Sequence, residues 1–186
     1  MAPMNRREAL KTGGVALGGA LLLSSGILAG CERDTRPPAK AMLSNDQQDL
    51  VAEIADTLLP KTAASPGAKE ANAGPEINLL LTDCYEPDAQ QRLVKGLDEL
   101  RQRCRTTYDT DFAKLPRDQR ENMLRVLSVE GKKAPPGTHW FPLMREVAER
   151  AYFSSQIGMT KALRYIQVPG KWVGCTPLTP GQPAWG

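Results

Sequence analysis

From residue 44 onward apolar residues return at intervals of three and four, and the pattern divides the chain into amphipathic segments. Ser44 opens the first, with Gln47 three residues later to complete a capping box, and Leu50, Val51, Ile54, Ala55, Leu58 and Leu59 share one face. Pro60 ends it. Lys61 to Gly74 is rich in Ala, Gly and Pro, with Pro66-Gly67 as a turn signal, and predicts a loop long enough to cover or dock against something. Pro75 at a first helical position predicts a second helix, with Ile77, Leu80, Leu81 and Cys84 inward, broken over Asp83–Pro87. A third runs from about Asp88 to Cys104 on a stripe of Leu93, Val94, Leu97, Leu100 and Cys104. Leu115-Pro116 begins a fourth, in which Met123, Leu124 and Leu127 face inward and Gly131 is the stop. After the Pro135-Pro136-Gly137 loop, Trp140 to Ser155 predicts a fifth helix that buries Leu143, Met144, Val147, Ala151 and Tyr152. Gly158 caps it, and Met159 to Ile166 is a short sixth. No alternating run of β-branched residues occurs, so the expected fold is all-α: five to six helices over 44–168 and an extended Pro/Gly-rich tail over 169–186.

The chain before residue 44 follows a different pattern. Arg6 and Arg7 precede the uncharged stretch Thr12–Gly30, which closes with Leu28-Ala29-Gly30-Cys31. A basic start, a short apolar core and small residues before a cut make a secretory signal over 1–30 rather than a spanning helix. The alternative, an uncleaved signal-anchor, suits this Gly-, Ala- and Ser-softened core poorly. The paired arginines point to the twin-arginine route, with the ordinary secretory route as the alternative because Glu8-Ala9 sit where that motif prefers an apolar residue. The Leu-Ala-Gly-Cys run resembles a bacterial lipobox in which Cys31 is acylated and becomes the new N-terminus. Residues 31–43, with two prolines and five charges between Glu32 and Met42, then form a tether. The expected location is the periplasmic side of the bacterial envelope, anchored by lipid. Because twin-arginine cargo travels folded, the domain should hold a cofactor or offer a surface to a partner that holds one.

Charge removes one class of partner. The signal takes three of the 24 basic residues and one of the 21 acidic ones, so 156 mature residues carry 21 against 20 and give no basic patch for nucleic acid. The chemistry-bearing residues are few. One histidine, His139, and cysteines spaced 20 and 71 apart cannot close a zinc site, and there is no C-x-x-C. His139 is better suited to capping or to an interface. The paired glycines lie in the signal and follow no strand, and Ser154-Ser155 lack a nucleophile elbow. The acidic residues sit on amphipathic helices as solvated faces. The expectation is a chain with no catalytic residue, no cofactor and no metal of its own.

With Cys31 lipidated, three cysteines remain in an oxidising compartment, an odd number. Cys84 and Cys104 stand at opposite ends of one helix, roughly 25 Å apart at 1.5 Å per residue, far beyond the separation of about 5.5 Å that a disulfide spans. Both fall on apolar stripes and are expected as buried thiols. Cys175, in the tail, is the candidate for a bond to another chain; a free thiol and a bond to Cys84 or Cys104 are the alternatives. Trp140, Phe141, Tyr152, Phe153, Tyr165, Trp172 and Trp185 all follow position 138. Periodicity assigns some to the core, but Trp172 and Trp185 have no periodic context, and tryptophan is enriched at interfaces. This set is the expected partner-binding surface of a subunit that wraps another protein.

Particular blocks carry a resemblance. Asp56-Thr57-Leu58-Leu59-Pro60-Lys61-Thr62, Pro66-Gly67-Ala68 and Asp83-Cys84-Tyr85 resemble the small subunit of membrane-bound sugar dehydrogenases. Ala151 to Tyr165, closed by Val168-Pro169-Gly170 and Cys175, is similar to the gluconate 2-dehydrogenase subunit 3 family, also called the gamma subunit. The resemblance spans about Ser44 to Leu178. It implies a small subunit without cofactor, partnered by an FAD-bearing catalytic subunit of the glucose–methanol–choline type. That partner oxidises a sugar or sugar acid and passes electrons toward a haem-bearing cytochrome c subunit. It further implies that the large subunit is exported on, and folded with, the small one. The lipobox departs from relatives that rely on the cytochrome for attachment. Two rivals remain: a free-standing extracytoplasmic helical lipoprotein, and, more remotely, an enzyme using Cys175 or His139.

Overall fold

The computed structural model describes residues 41–168, 170 and 173–185. The expected signal with Arg6 and Arg7, the lipidation site Cys31, most of the tether, and Trp172 lie outside the described residues. Five α-helices follow in order: α1 Asn45–Leu58, α2 Ala73–Cys84, α3 Pro87–Tyr108, α4 Arg117–Lys133 and α5 Trp140–Ser154. A 3-10 turn, Phe112–Lys114, precedes α4, and a π-type turn, Gly158–Ala162, follows α5. Among the described residues there is no strand; one isolated bridge joins Arg164 to Trp185. The fold is all-α.

Each helix starts and stops for a local reason. At α1 the Ser44 hydroxyl accepts from the Gln47 amide, and the Gln47 side chain accepts from the Ser44 amide at 3.0 Å, which satisfies two orphan donors. Helix α2 begins two residues ahead of Pro75, after Asn72 in the left-handed region at φ 55°. Pro75 therefore lies inside the first turn, where its missing N–H forfeits no helical bond. Helix α3 has Pro87 in its first turn and runs one turn past Cys104 to Asp109, which is left-handed at φ 55° and donates to the Arg105 carbonyl. Gly131 does not stop α4. A β-carbon there would meet the Pro142 ring at 2.9 Å, so this glycine permits a close approach to α5 rather than ending a helix. The expected sixth helix is instead a π-type turn, closed by Leu163 donating to the Gly158 carbonyl at 2.9 Å.

The core forms around α5. It packs against each of the other four helices, and it buries Trp140, Phe141, Leu143, Met144, Val147, Ala148, Ala151 and Tyr152. Its buried residues share one broad face, while Arg145, Glu146, Glu149 and Arg150 keep the opposite face in solvent. Across from it stand Ile54 of α1, Ile77 and Leu81 of α2, Leu93, Leu97 and Leu100 of α3, and Leu124 and Leu127 of α4, all buried. No polar or charged side chain is buried among the described residues. No helix among them is long and apolar enough to cross a membrane.

Candidate functional site

The sequence blocks that are far apart in the chain meet at one end of α5. The loop 61–72 is not free-running. Ala68 is fully buried and donates to the Leu59 carbonyl at 2.9 Å, and the Asp56 carboxylate accepts from the Lys69 amide at 3.1 Å. A β-carbon on Gly67 would stand 2.7 Å from that carboxylate and 2.8 Å from the Lys61 amide nitrogen, so the tight pass requires glycine. Tyr152, from α5, donates its hydroxyl to the Pro66 carbonyl at 2.6 Å and pins the loop to the core. Beyond Tyr152 the Ser155 hydroxyl donates to the Tyr152 carbonyl at 2.6 Å and accepts from the Gly158 amide at 2.9 Å. Gly158 has no room for a side chain, since a β-carbon would lie 1.9 Å from the Tyr152 carbonyl oxygen. This knuckle turns the chain out of the core and sets where the tail departs.

Most of the exposed large apolar residues among the described residues lie in the tail, and Leu79, Val126 and Val129 are the others. Tyr165, Ile166, Val168, Val173, Leu178 and Trp185 are all solvent-exposed, Val168 at 76% and Leu178 at 82%. No described residue from Arg164 to Trp185 is buried. The segment is nevertheless tied at its ends. The Arg164 amide donates to the Ala184 carbonyl at 2.7 Å, and the Arg164 guanidinium lies 4.3 Å from the centre of the Trp185 ring. No aspartate or glutamate occurs after Glu149, while Arg150, Lys161, Arg164 and Lys171 are all cations. Periodicity missed this surface because it has no period; a scan of charge along the chain would have found it.

The seven aromatic residues expected at an interface separate into groups. Trp140, Phe141 and Tyr152 are buried at 3%, 2% and 3% exposure and belong to the core, so in this fold their rings have no free face for a partner. Helical period places them there, where an aromatic ring contributes most by being fully removed from water. Phe153 is half-buried against Tyr152, edge to face at 5.0 Å, while Tyr165 and Trp185 are exposed. The cysteines also differ from expectation. Cys104 is buried, and burial, with the Asp111 carboxylate nearby, pushes its thiol up to about 11. Cys84 is exposed rather than inward, because it is the last residue of α2, where the chain turns toward Tyr85. Cys175 is exposed in the tail. His139 caps α5, its Nδ1 accepting from the Phe141 amide at 3.2 Å, while Nε2 faces Glu130 at 3.8 Å. That arrangement uses the tautomer protonated on Nε2.

The surface clefts are open and ionic. One of ≈ 550 Å³ is lined by Asp46, Asp49, Glu53, Lys69, Arg101, Arg105 and Asp111 among others; one of ≈ 540 Å³ by Asp88, Arg92, Lys95, Glu99 and His139. No group of three or more His, Cys, Asp or Glu among the described residues could hold a metal ion.

The knuckle at Pro66, Tyr152 and Gly158 thus joins the blocks 56–68 and 151–165 that carry the resemblance. The model of one protein family, gluconate 2-dehydrogenase subunit 3, matches residues 45–170. The chain belongs to that family. Comparison with curated proteins gave no match, and neither did comparison with solved structures. The span shared with gluconate 2-dehydrogenase subunit 3 takes in α1 through the π-type turn and the first exposed residues of the tail, Tyr165, Ile166 and Val168. By the family's name its members are subunits of gluconate 2-dehydrogenase.

Proposed function

We propose that this chain is the non-catalytic small subunit of a periplasmic FAD-dependent dehydrogenase of the glucose–methanol–choline type, acting on a sugar or sugar acid. The family match over 45–170 carries the reading. In it the flavin and the reacting atoms belong to the catalytic subunit, and a haem-bearing cytochrome c subunit takes the electrons. The small subunit acts by binding. It exports its partner folded through the Arg6-Arg7 signal, assists its folding, and tethers it to the membrane through lipid on Cys31. More than one acyl chain is needed for stable anchoring, and a bacterial lipoprotein carries several. The tail, which exposes Tyr165, Ile166, Val168, Val173, Leu178 and Trp185, supports the binding role. Cys175, exposed in the tail, forms an intersubunit disulfide in this reading, two thiols giving up two electrons and two protons to the thiol oxidants of the compartment.

Extraction of the tagged chain from its native membranes in detergent tests this, read by flavin absorbance and by a non-reducing gel. A co-purifying yellow protein whose band shifts on adding thiol is the expected result. Flavin without the shift would keep the subunit assignment and remove the Cys175 bond. A colourless monomer would overturn the assignment and leave a free-standing lipoprotein. Replacing Arg6 and Arg7 by lysine should leave both proteins in the cytoplasm together, as a shared export signal requires.

A further inference from the structure

We propose that the described parts of 164–185 act as a preformed docking loop for the catalytic subunit, fitting a face that is apolar and edged with carboxylates. The proposal rests on the small-subunit reading and adds to it which surface binds and what chemistry it meets. Three observations carry it. Tyr165, Ile166, Val168, Val173, Leu178 and Trp185 are exposed on a segment that buries nothing against its own domain. The last 37 residues hold four cations and no acid, and within the docking loop the Arg164 guanidinium stands exposed, so a face edged with carboxylates complements it. The loop is also held in shape without a core. The Arg164 amide bonds the Ala184 carbonyl at 2.7 Å, and the guanidinium stacks 4.3 Å from the Trp185 ring centre. A turn at Thr179–Gln182 is closed by two further hydrogen bonds, with Gly181 at φ 77°. Pro177, Pro180 and Pro183 fix three more φ angles.

Preorganisation lowers what binding must spend on ordering, which is where an extended peptide otherwise loses affinity. Arg164 thereby has a positioning role at the neck, while Val168 and Leu178 make contact. An anionic membrane would also attract cations and tryptophan, but the backbone here is extended and largely unpaired. Hydrocarbon cannot satisfy such N–H and C=O groups, whereas a protein face can.

The test uses the full-length chain and the flavoprotein recovered with it from native membranes. Affinity is measured between separately purified subunits, with Cys175→Ser in all variants to remove any covalent bond. Val168→Asp with Leu178→Asp should weaken binding at least about tenfold and leave thermal unfolding of the free chain unchanged. Raising salt from about 50 to about 500 mM should weaken the parent several-fold. Arg164→Ala and Trp185→Ala should each weaken binding, and the double variant should be no worse than the weaker single. If the Asp variants bind as the parent does, the docking loop is wrong and the small subunit assignment stands. Protection of 164–185 from hydrogen exchange by phosphatidylglycerol vesicles, but not by the flavoprotein, would also overturn it, in favour of a membrane contact. If no flavoprotein accompanies the native chain, both readings fall.

Discussion

Gly96 lies beneath Trp140 so closely that a β-carbon would stand 2.0 Å from the indole Cγ. The α3–α5 contact therefore depends on the absence of one methyl group. Gly96→Ala should destabilise the fold by about 3 kcal/mol in urea denaturation, because a rigid indole in a packed core cannot step aside. Tyr152→Phe is a gentler probe at the other end of α5. It removes only the hydroxyl that donates to Pro66 at 2.6 Å, leaving the ring in the core. A loss of about 1 kcal/mol is expected, with faster exchange of the Ala68 amide as the loop loosens. Cys104 offers a pH signature. Burial pushes its thiol up to about 11 in the folded chain, from an ordinary value near 9.0 when unfolded. Its contribution is complete below pH 9 and is lost as pH rises toward 11, because the unfolded state sheds the proton first. Cys104→Ala should lack this component of the alkaline decline, seen by comparing urea midpoints of the two proteins between pH 9 and pH 11.

At the scale of elements, one carboxylate of α1 reaches both α4 and the loop. Glu53 accepts from Arg120 of α4 at 2.8 Å and pairs with Lys69 of the loop, and the Glu53 and Arg120 side chains are 17% and 20% exposed. The bond comes from a terminal nitrogen of Arg120, and its buried Nε has no hydrogen-bond partner. Glu53→Gln should therefore cost about 2 kcal/mol, since a guanidinium largely withdrawn from water is left without its counter-charge. Adding Arg120→Met should recover part of the loss, which a double-mutant cycle in denaturant would show. Nothing in the sequence pairs residues 53 and 120; the pairing needs the crossing of two helices. The helices themselves were legible because burial of an apolar stripe dominates, and Leu50 to Ala55, Leu93 to Cys104 and Leu143 to Tyr152 are inside as their spacing requires. Their ends were less legible. Gly131 reads as a stop, but its neighbour Pro142 makes it a contact; Asn72 and Asp109 end or begin helices in the left-handed region without the glycine that usually marks it. Cys84 lies one residue from the break after α2, where the apolar stripe no longer decides which way a side chain points.

At the scale of the whole molecule, the helical body and the tail have opposite designs, and each was visible through a different signal. The body hides most of its apolar residues and follows a period of 3.6, so sequence reasoning finds it; the crowding of aromatics after position 138 suggests an interface that burial denies to Trp140, Phe141 and Tyr152. The tail exposes its apolar residues, has no period and lacks acids, so only composition and charge reveal it. If the tail contributes nothing to the core, the two should separate cleanly. A chain ending at Leu163, which keeps the Gly158 turn and its bond from Leu163, should unfold within about 1 kcal/mol of the full chain. The clasp at Arg164 and Trp185 is exposed and closes only the tail on itself, so its removal leaves no buried group unpaired. A truncated chain that unfolds with the same midpoint yet no longer retains the dehydrogenase would assign stability to the helices and partnership to the tail. A large loss of stability would instead show that the tail is part of the fold, and its exposed apolar residues would then need a covering surface within this chain.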